Sequence, residues 1–120
     1  MAKKILIIDD EPDILRAAKV RLMSFGYEVI TADDGNDIIN LVKRDTPDLI
    51  LLDLRLPRMD GDKICVMLKT DDKFKHIPII IFTASSDPTT NRKVQDSGAD
   101  GYLIKPFDPE ELLQTMKKFL

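Results

Sequence analysis

Three aspartates, a threonine and a lysine stand where short apolar runs of this chain stop. Lys4–Ile8 runs into Asp9, Asp10 and Glu11, Leu49–Leu52 into Asp53, Ile77–Phe82 into Thr83, and Gly101–Ile104 into Lys105. If these runs are strands of one sheet, three carboxylates, a hydroxyl and an ammonium gather at one rim. Two carboxylates ~4 Å apart repel by about 4 kcal/mol at an effective dielectric of about 20, and a third adds to this. Such a cluster needs a cation. Lys105 offsets one charge, but hard oxygen donors with no His or Cys beside them favour magnesium, which keeps several waters and takes one or two carboxylates. An open magnesium site attracts phosphate, and a carboxylate can act as a covalent nucleophile that forms an aspartyl phosphate. Asp53, at the end of the central run, is the candidate acceptor. Asp9 and Asp10, on a neighbouring strand, are better placed to hold metal, and Thr83 and Lys105 to bind phosphoryl oxygens.

The elements that must position these residues follow from patterning. After Glu11, Pro12 suits the first turn of a helix, and Ile14, Leu15, Ala18, Leu22 and Phe25 share one helical face before Gly26 ends it. Tyr27–Ala32 reads as the next strand, and Ile38, Ile39, Leu41 and Val42 mark the second helix. Leu49–Leu52 is apolar at every position, as expected of a strand covered on both faces of a parallel sheet. Asp60–Thr70 is a third helix with Ile64, Cys65, Met67 and Leu68 inward, and Ile77–Phe82 is a fourth strand with Pro78 at its beginning. Thr89–Ser97 is the poorest helix, with Val94 its only large apolar residue, and is expected to be the loosest element. Gly101–Ile104 is the last strand. Asp108 then caps a helix with Pro109 in its first turn, Glu111 at the capping-box position, and Leu112, Leu113, Met116 and Phe119 inward.

Five strands alternating with five helices, joined by short loops, predict an α/β fold: a parallel sheet with helices on both faces. In such sheets ligands bind outside the carboxyl ends of the strands, where the winding reverses. That is the rim on which the acids fall.

Composition sets the outer bounds. A chain of 120 residues, 43% hydrophobic and 32% charged, fits one compact domain spanning 1–120. Cys65 is the only cysteine, which excludes an internal disulfide, and the N-terminus lacks the apolar core of a signal peptide, so a cytoplasmic location is expected. No apolar run approaches the ~20 residues that span a bilayer, so no membrane partner is expected. The net charge of −3 argues against a nucleic-acid footprint, which needs a basic face.

Four separated motifs give the chain a wider resemblance. Ile8-Asp9-Asp10-Glu11, Asp53-Leu54-Arg55-Leu56-Pro57-Arg58-Met59-Asp60-Gly61, Phe82-Thr83-Ala84 and Gly98-Ala99-Asp100-Gly101-Tyr102-Leu103-Ile104-Lys105-Pro106-Phe107 resemble the receiver domains of two-component response regulators, including stand-alone regulators of chemotaxis type. The resemblance covers essentially the whole chain. It implies the flavodoxin-like strand order 2-1-3-4-5. It also implies that Asp53 takes phosphate from a phosphohistidine on a sensor histidine kinase or histidine phosphotransfer protein. Magnesium would be held by Asp10, Asp53 and the backbone carbonyl of Arg55, with Asp9 acting partly through water. Thr83 would swing toward the phosphoryl group and Tyr102 turn inward behind it, altering the face of the fourth helix, fifth strand and fifth helix for a downstream target protein. Arg55 and Ser85 stand where the family tunes phosphoryl lifetime, and Pro106 where it carries a cis bond. Leu56 replaces a methionine common in relatives. Met1 and a last helix ending at Leu120 suit a stand-alone regulator, and a receiver cut from a longer protein with a DNA-binding or enzymatic output domain would look the same.

Rival readings predict different residues. Dehalogenase-type phosphatases share a strand-end aspartate and magnesium but want an acid two residues on, where this chain has Arg55. A flavodoxin-like cofactor binder wants Ser, Thr and Gly after the first strand, and Asp9-Asp10-Glu11 would repel a flavin phosphate. No phosphate-binding P-loop is present. A degenerate receiver, acting only as a binding module, would lack one of the key residues, and all are here.

Overall fold

The computed structural model describes residues 2–36, 38–84 and 87–120. Its five strands are β1 (Lys4–Ile8), β2 (Glu28–Ala32), β3 (Leu49–Asp53), β4 (Ile79–Thr83) and β5 (Gly101–Ile104). They alternate with α1 (Pro12–Ser24), α2 (Ile38–Asp45), α3 (Gly61–Lys69), α4 (Pro88–Asp96) and α5 (Pro109–Lys117). All strands pair in parallel in the order β2-β1-β3-β4-β5. The expected architecture and strand order are both found.

Strand alternation divides the core into two layers. Leu6, Ile8, Ile50, Leu52, Ile79 and Ile81 face one side, where α2, α3 and α4 bring Ile38, Val42, Ile64, Cys65, Leu68 and Val94. Ile5, Ile7, Leu49, Leu51, Ile80 and Phe82 face the other, covered by Leu22 of α1 and Leu112 and Met116 of α5. β3 and β4 are buried at every position, the burial their unbroken apolar runs require.

Some boundaries and faces differ from expectation. β4 begins at Ile79, because Pro78 accepts the Ile50 N–H through its carbonyl but has no N–H of its own to donate to the ladder. Asp53 and Thr83 end their strands, as expected. Met67, expected inward, is 43% exposed. Ile64, Cys65 and Leu68 define the inner face of α3, and Met67 lies about a third of a turn from its centre. Phe25 is the C-cap of α1 and is 38% exposed. α4 begins at Pro88 and buries only Thr90 and Val94, as its polar sequence predicts.

Candidate functional site

Parallel register carries the chemistry to one place. Ile8 pairs with Leu52 and Asp53 with Phe82, so the next residue of β1, Asp9, arrives beside Asp53. Thr83 pairs with Ile104, which puts Lys105 at the adjoining strand end. Asp10, Glu11, Asp53, Arg55, Thr83, Ala84 and Lys105 line one open depression of about 470 Å³. Asp53 and Thr83 are buried at its floor, Asp9 is fully buried behind its lining, and Asp10 and Glu11 form its exposed wall.

Each acid is held by its own loop. The Asp9 Oδ1 accepts the Glu11 N–H at 2.9 Å, and the Asp53 Oδ1 accepts the Arg55 N–H at 3.2 Å. Both are local turns in which an aspartate binds the backbone two residues on. Gly61, the first residue of α3, secures the loop after Asp53: its N–H donates to the Leu54 carbonyl at 2.6 Å, and a Cβ there would lie 2.1 Å from the Asp53 carbonyl oxygen. No larger residue fits without moving the acceptor strand. Within this loop the Met59 N–H reaches the Pro57 carbonyl at 2.8 Å, and Arg58 is forced to φ 72°. That tight three-residue turn is strained for any residue but glycine.

Lys105 is the hub. Its Nζ lies 2.9 Å from Asp9 Oδ2, 3.3 Å from Asp53 Oδ2 and 3.4 Å from Glu11 Oε1. It also sits 4.9 Å from the centre of the Phe82 ring, which meets Phe107 edge-on with centroids 5.9 Å apart. Burial alone would lower the lysine's pKa, but its hydrogen bond to Asp9 and the charges of Asp53 and Asp9 outweigh this and raise it. Burial pushes the Asp53 carboxyl from its ordinary 3.8 up to about 6, with Asp9 repulsion adding and Lys105 and the Arg55 N–H opposing.

One cation does not neutralise this rim. Asp9, Asp10, Glu11 and Asp53 each offer an oxygen, all within 4.8 Å of one another. The donors are carboxylates without His or Cys, the set that suits a hard divalent ion such as magnesium.

The sequence-predicted residues Asp9, Asp10, Asp53, Arg55, Thr83 and Lys105 therefore converge. Tyr102 does not join them: it is half-buried on β5 against the α2–α4 layer and borders a groove with Asn91, Val94 and Gln95. Ser85 lies outside the described residues. Lys105–Pro106 is cis, as the resemblance implied. Cys65 is buried, as its place on the inner face of the third helix suggested. Two contributors were not assigned a role from sequence. Glu11 was visible as a third consecutive acid, and Gly61 as the glycine closing the Asp53 motif.

Comparison with known proteins agrees with this geometry. The family model described as "Response regulator receiver domain" matches residues 5–117. A probable transcriptional regulator, ycf27, of Porphyridium aerugineum is 42% identical over 98% of this chain and 48% of its own length. The transcriptional regulator RpaA of Synechocystis is 42% identical over 98% and 48% respectively. The chain thus spans about half the length of the curated relatives it matches. Among solved structures, the chemotaxis protein CheY4 of Vibrio cholerae superposes over all of both chains with a TM-score of 0.92 at 32% identity. The receiver domain of the sensor histidine kinase PA1611 of Pseudomonas aeruginosa, solved with magnesium in its active-site cleft, covers 99% of this chain and 98% of its own with a TM-score of 0.91 at 28% identity. The doubly wound sheet, the acid-lined rim and the matched family model lead to one assignment: this chain belongs to the response regulator receiver domains of two-component systems.

Proposed function

We propose that residues 1–120 form a single receiver domain whose Asp53 accepts a phosphoryl group from a phosphohistidine. The observation that carries this reading is the setting of Asp53: the buried end of the central strand, inside a four-carboxylate cluster, in contact with Lys105. The donor is a sensor histidine kinase or a histidine phosphotransfer protein in the cytoplasm. An Asp53 carboxylate oxygen forms a bond to phosphorus as the phosphorus–nitrogen bond breaks, and the imidazole nitrogen keeps the electron pair.

Asp10, Asp53 and the Arg55 carbonyl would hold magnesium, with Asp9 contributing partly through water; when bound, the ion offsets the charge of the acids and the incoming phosphoryl group. Lys105 already lies beside the acceptor and can follow its charge onto the phosphoryl oxygens. Thr83, buried at the neighbouring strand end, supplies a hydroxyl to the same group. Thr83 reorienting and Tyr102 turning inward would then alter the α4–β5–α5 face for a downstream protein. The thin apolar face of α4, with only Thr90 and Val94 buried, supports placing the movable element there. As a member of a signalling family the domain is not a conventional enzyme. Its catalysis is limited to its own phosphorylation from small donors and its own hydrolysis. Arg55, in the place where a phosphatase of related chemistry needs an acid, supports that limit.

Incubation with acetyl phosphate and magnesium should raise the intact mass by one phosphoryl group. Asp53→Asn should abolish the gain, and Asp10→Asn should weaken magnesium binding. Mass gain that persists in Asp53→Asn would overturn the assignment.

A further inference from the structure

Glu11 breaks a local rule. It occupies the N-cap of α1 with extended backbone, φ −94° and ψ 109°, yet its side chain makes no capping hydrogen bond. N-caps favour Ser, Thr, Asp and Asn, whose short side chains reach the first-turn N–H groups. The N-caps of α4 and α5 obey the rule: Asp87 accepts the Thr90 N–H and Asp108 the Glu111 N–H, each at 2.8 Å, whereas Asp60 of α3, like Glu11, makes no capping bond. The Glu11 N–H is fixed by Asp9, and its carboxylate turns away from its own helix to Lys105, 94 residues distant in sequence. A residue that forgoes a local bond for a long-range contact at the rim calls for an explanation at the rim.

Lys105 has three carboxylate partners, and they are not equivalent. Asp9 is fully buried and nearest; Asp53 is the group that would be modified; Glu11 is farthest, with its side chain 60% exposed. We propose that Glu11 is a positioning residue for Lys105. It holds the ammonium toward the mouth of the depression while Asp53 is unmodified and releases it when a phosphoryl group arrives. The Asp9 contact can persist through the change, whereas the Glu11 contact is the one that a new anion displaces. The grip belongs to the unmodified state, so removing it shifts the balance toward the phosphoryl-bound state. This inference rests on Asp53 being the phosphoacceptor.

Two variants separate grip from charge. Glu11→Gln removes the charge; Glu11→Asp keeps it but withdraws it by one methylene. Beryllofluoride, a phosphoryl mimic, is titrated calorimetrically at saturating magnesium, and magnesium is titrated alone. Both variants should bind beryllofluoride about twofold to fivefold more tightly than wild type, the worth of an exposed ion pair. Magnesium affinity in Glu11→Asp should stay within about twofold of wild type, and the Lys105 ammonium resonance of the metal-free protein should move in both. Wild-type beryllofluoride affinity in Glu11→Asp would show that bare charge acts, and overturns the grip. A tenfold or greater loss of magnesium affinity in Glu11→Asp would make Glu11 a metal ligand, and also overturns it. No change in either variant leaves Glu11 a surface acid. If wild type itself takes up no beryllofluoride, the phosphoacceptor reading fails first, whatever the Glu11 variants do.

Discussion

Two lysines, at opposite rims of the same sheet, answer aspartates in opposite ways. Lys69, the last residue of α3, meets a single carboxylate, Asp100, at 2.5 Å and donates to the Ile77 and Lys75 carbonyls at 2.7 and 3.3 Å. Asp100 in turn accepts the Ile79 N–H at 2.9 Å, while its own N–H donates to the Ile79 carbonyl at 2.8 Å. Every group there has a partner of matching charge or polarity, and the pair fastens α3 to the turn after α4. Lys105 is shared among three carboxylates, with a fourth nearby, and no arrangement of one ammonium satisfies them all. The difference teaches that an ion pair in this fold is structural when its charges close and functional when they leave a surplus. The surplus at the Lys105 rim is what a divalent ion and a phosphoryl group can use.

That contrast can be broken by mutation. The largest effect is expected at the balanced rim: Lys69→Met takes the charged donor from the Ile77 and Lys75 carbonyls and the cation from an exposed Asp100, and should cost about 2 kcal/mol in urea unfolding, while leaving beryllofluoride affinity near wild type. An equal loss of affinity would mean that the two rims are one device.

At the surplus rim the sign reverses. The folded-state pKa of Asp53 is raised to about 6 from 3.8, so the folded state binds this proton more tightly than the unfolded chain does. Metal-free wild type therefore loses stability as pH rises from about 4 to above 6, and stays at the lower level beyond it. Asp53→Asn, which cannot ionise, should be more stable than wild type by about 1–2 kcal/mol at pH 7.5, and the advantage should fade toward pH 4. Thermal unfolding across that pH range, with chelator present, tests this; a variant less stable at both ends would show that the cluster is balanced after all.

The smallest effect sharpens the comparison at a third pair. Arg58 reaches Asp34 at 3.3 Å with its side chain 69% exposed, so the contact contributes little against the cost of its left-handed backbone. Arg58→Gly should gain about 0.5–1 kcal/mol in high salt and less in low salt, where the ion pair is unscreened. Urea midpoints at two ionic strengths would resolve it.

Most of the fold was legible because parallel strands buried on both faces must be apolar throughout, and β3 and β4 announce themselves in that way. The acids were legible because they end runs of one sheet at the rim where Thr83 and Lys105 also arrive; singly, each could have been an ordinary turn or helix-entry acid. What escaped depended on three-dimensional proximity. Glu11 reads as an ordinary helix-entry acid until Lys105 is placed beside it. Met67 lies on the border of a helical face, where periodicity alone does not choose between core and water. Gly61 shows its purpose only when the Asp53 carbonyl is seen to occupy the place of its missing side chain.

That last contact bears on the direction in which the molecule can yield. With Gly61 seated on the Asp53 carbonyl and bonded to Leu54, α3 and the acceptor loop behave as one anvil. A load applied at Asp53 has no slack to take up on that side. In the switch proposed above, the change would pass the other way, through Thr83 toward a helix that buries only Thr90 and Val94, so what is held still would set its direction as much as what is free to move.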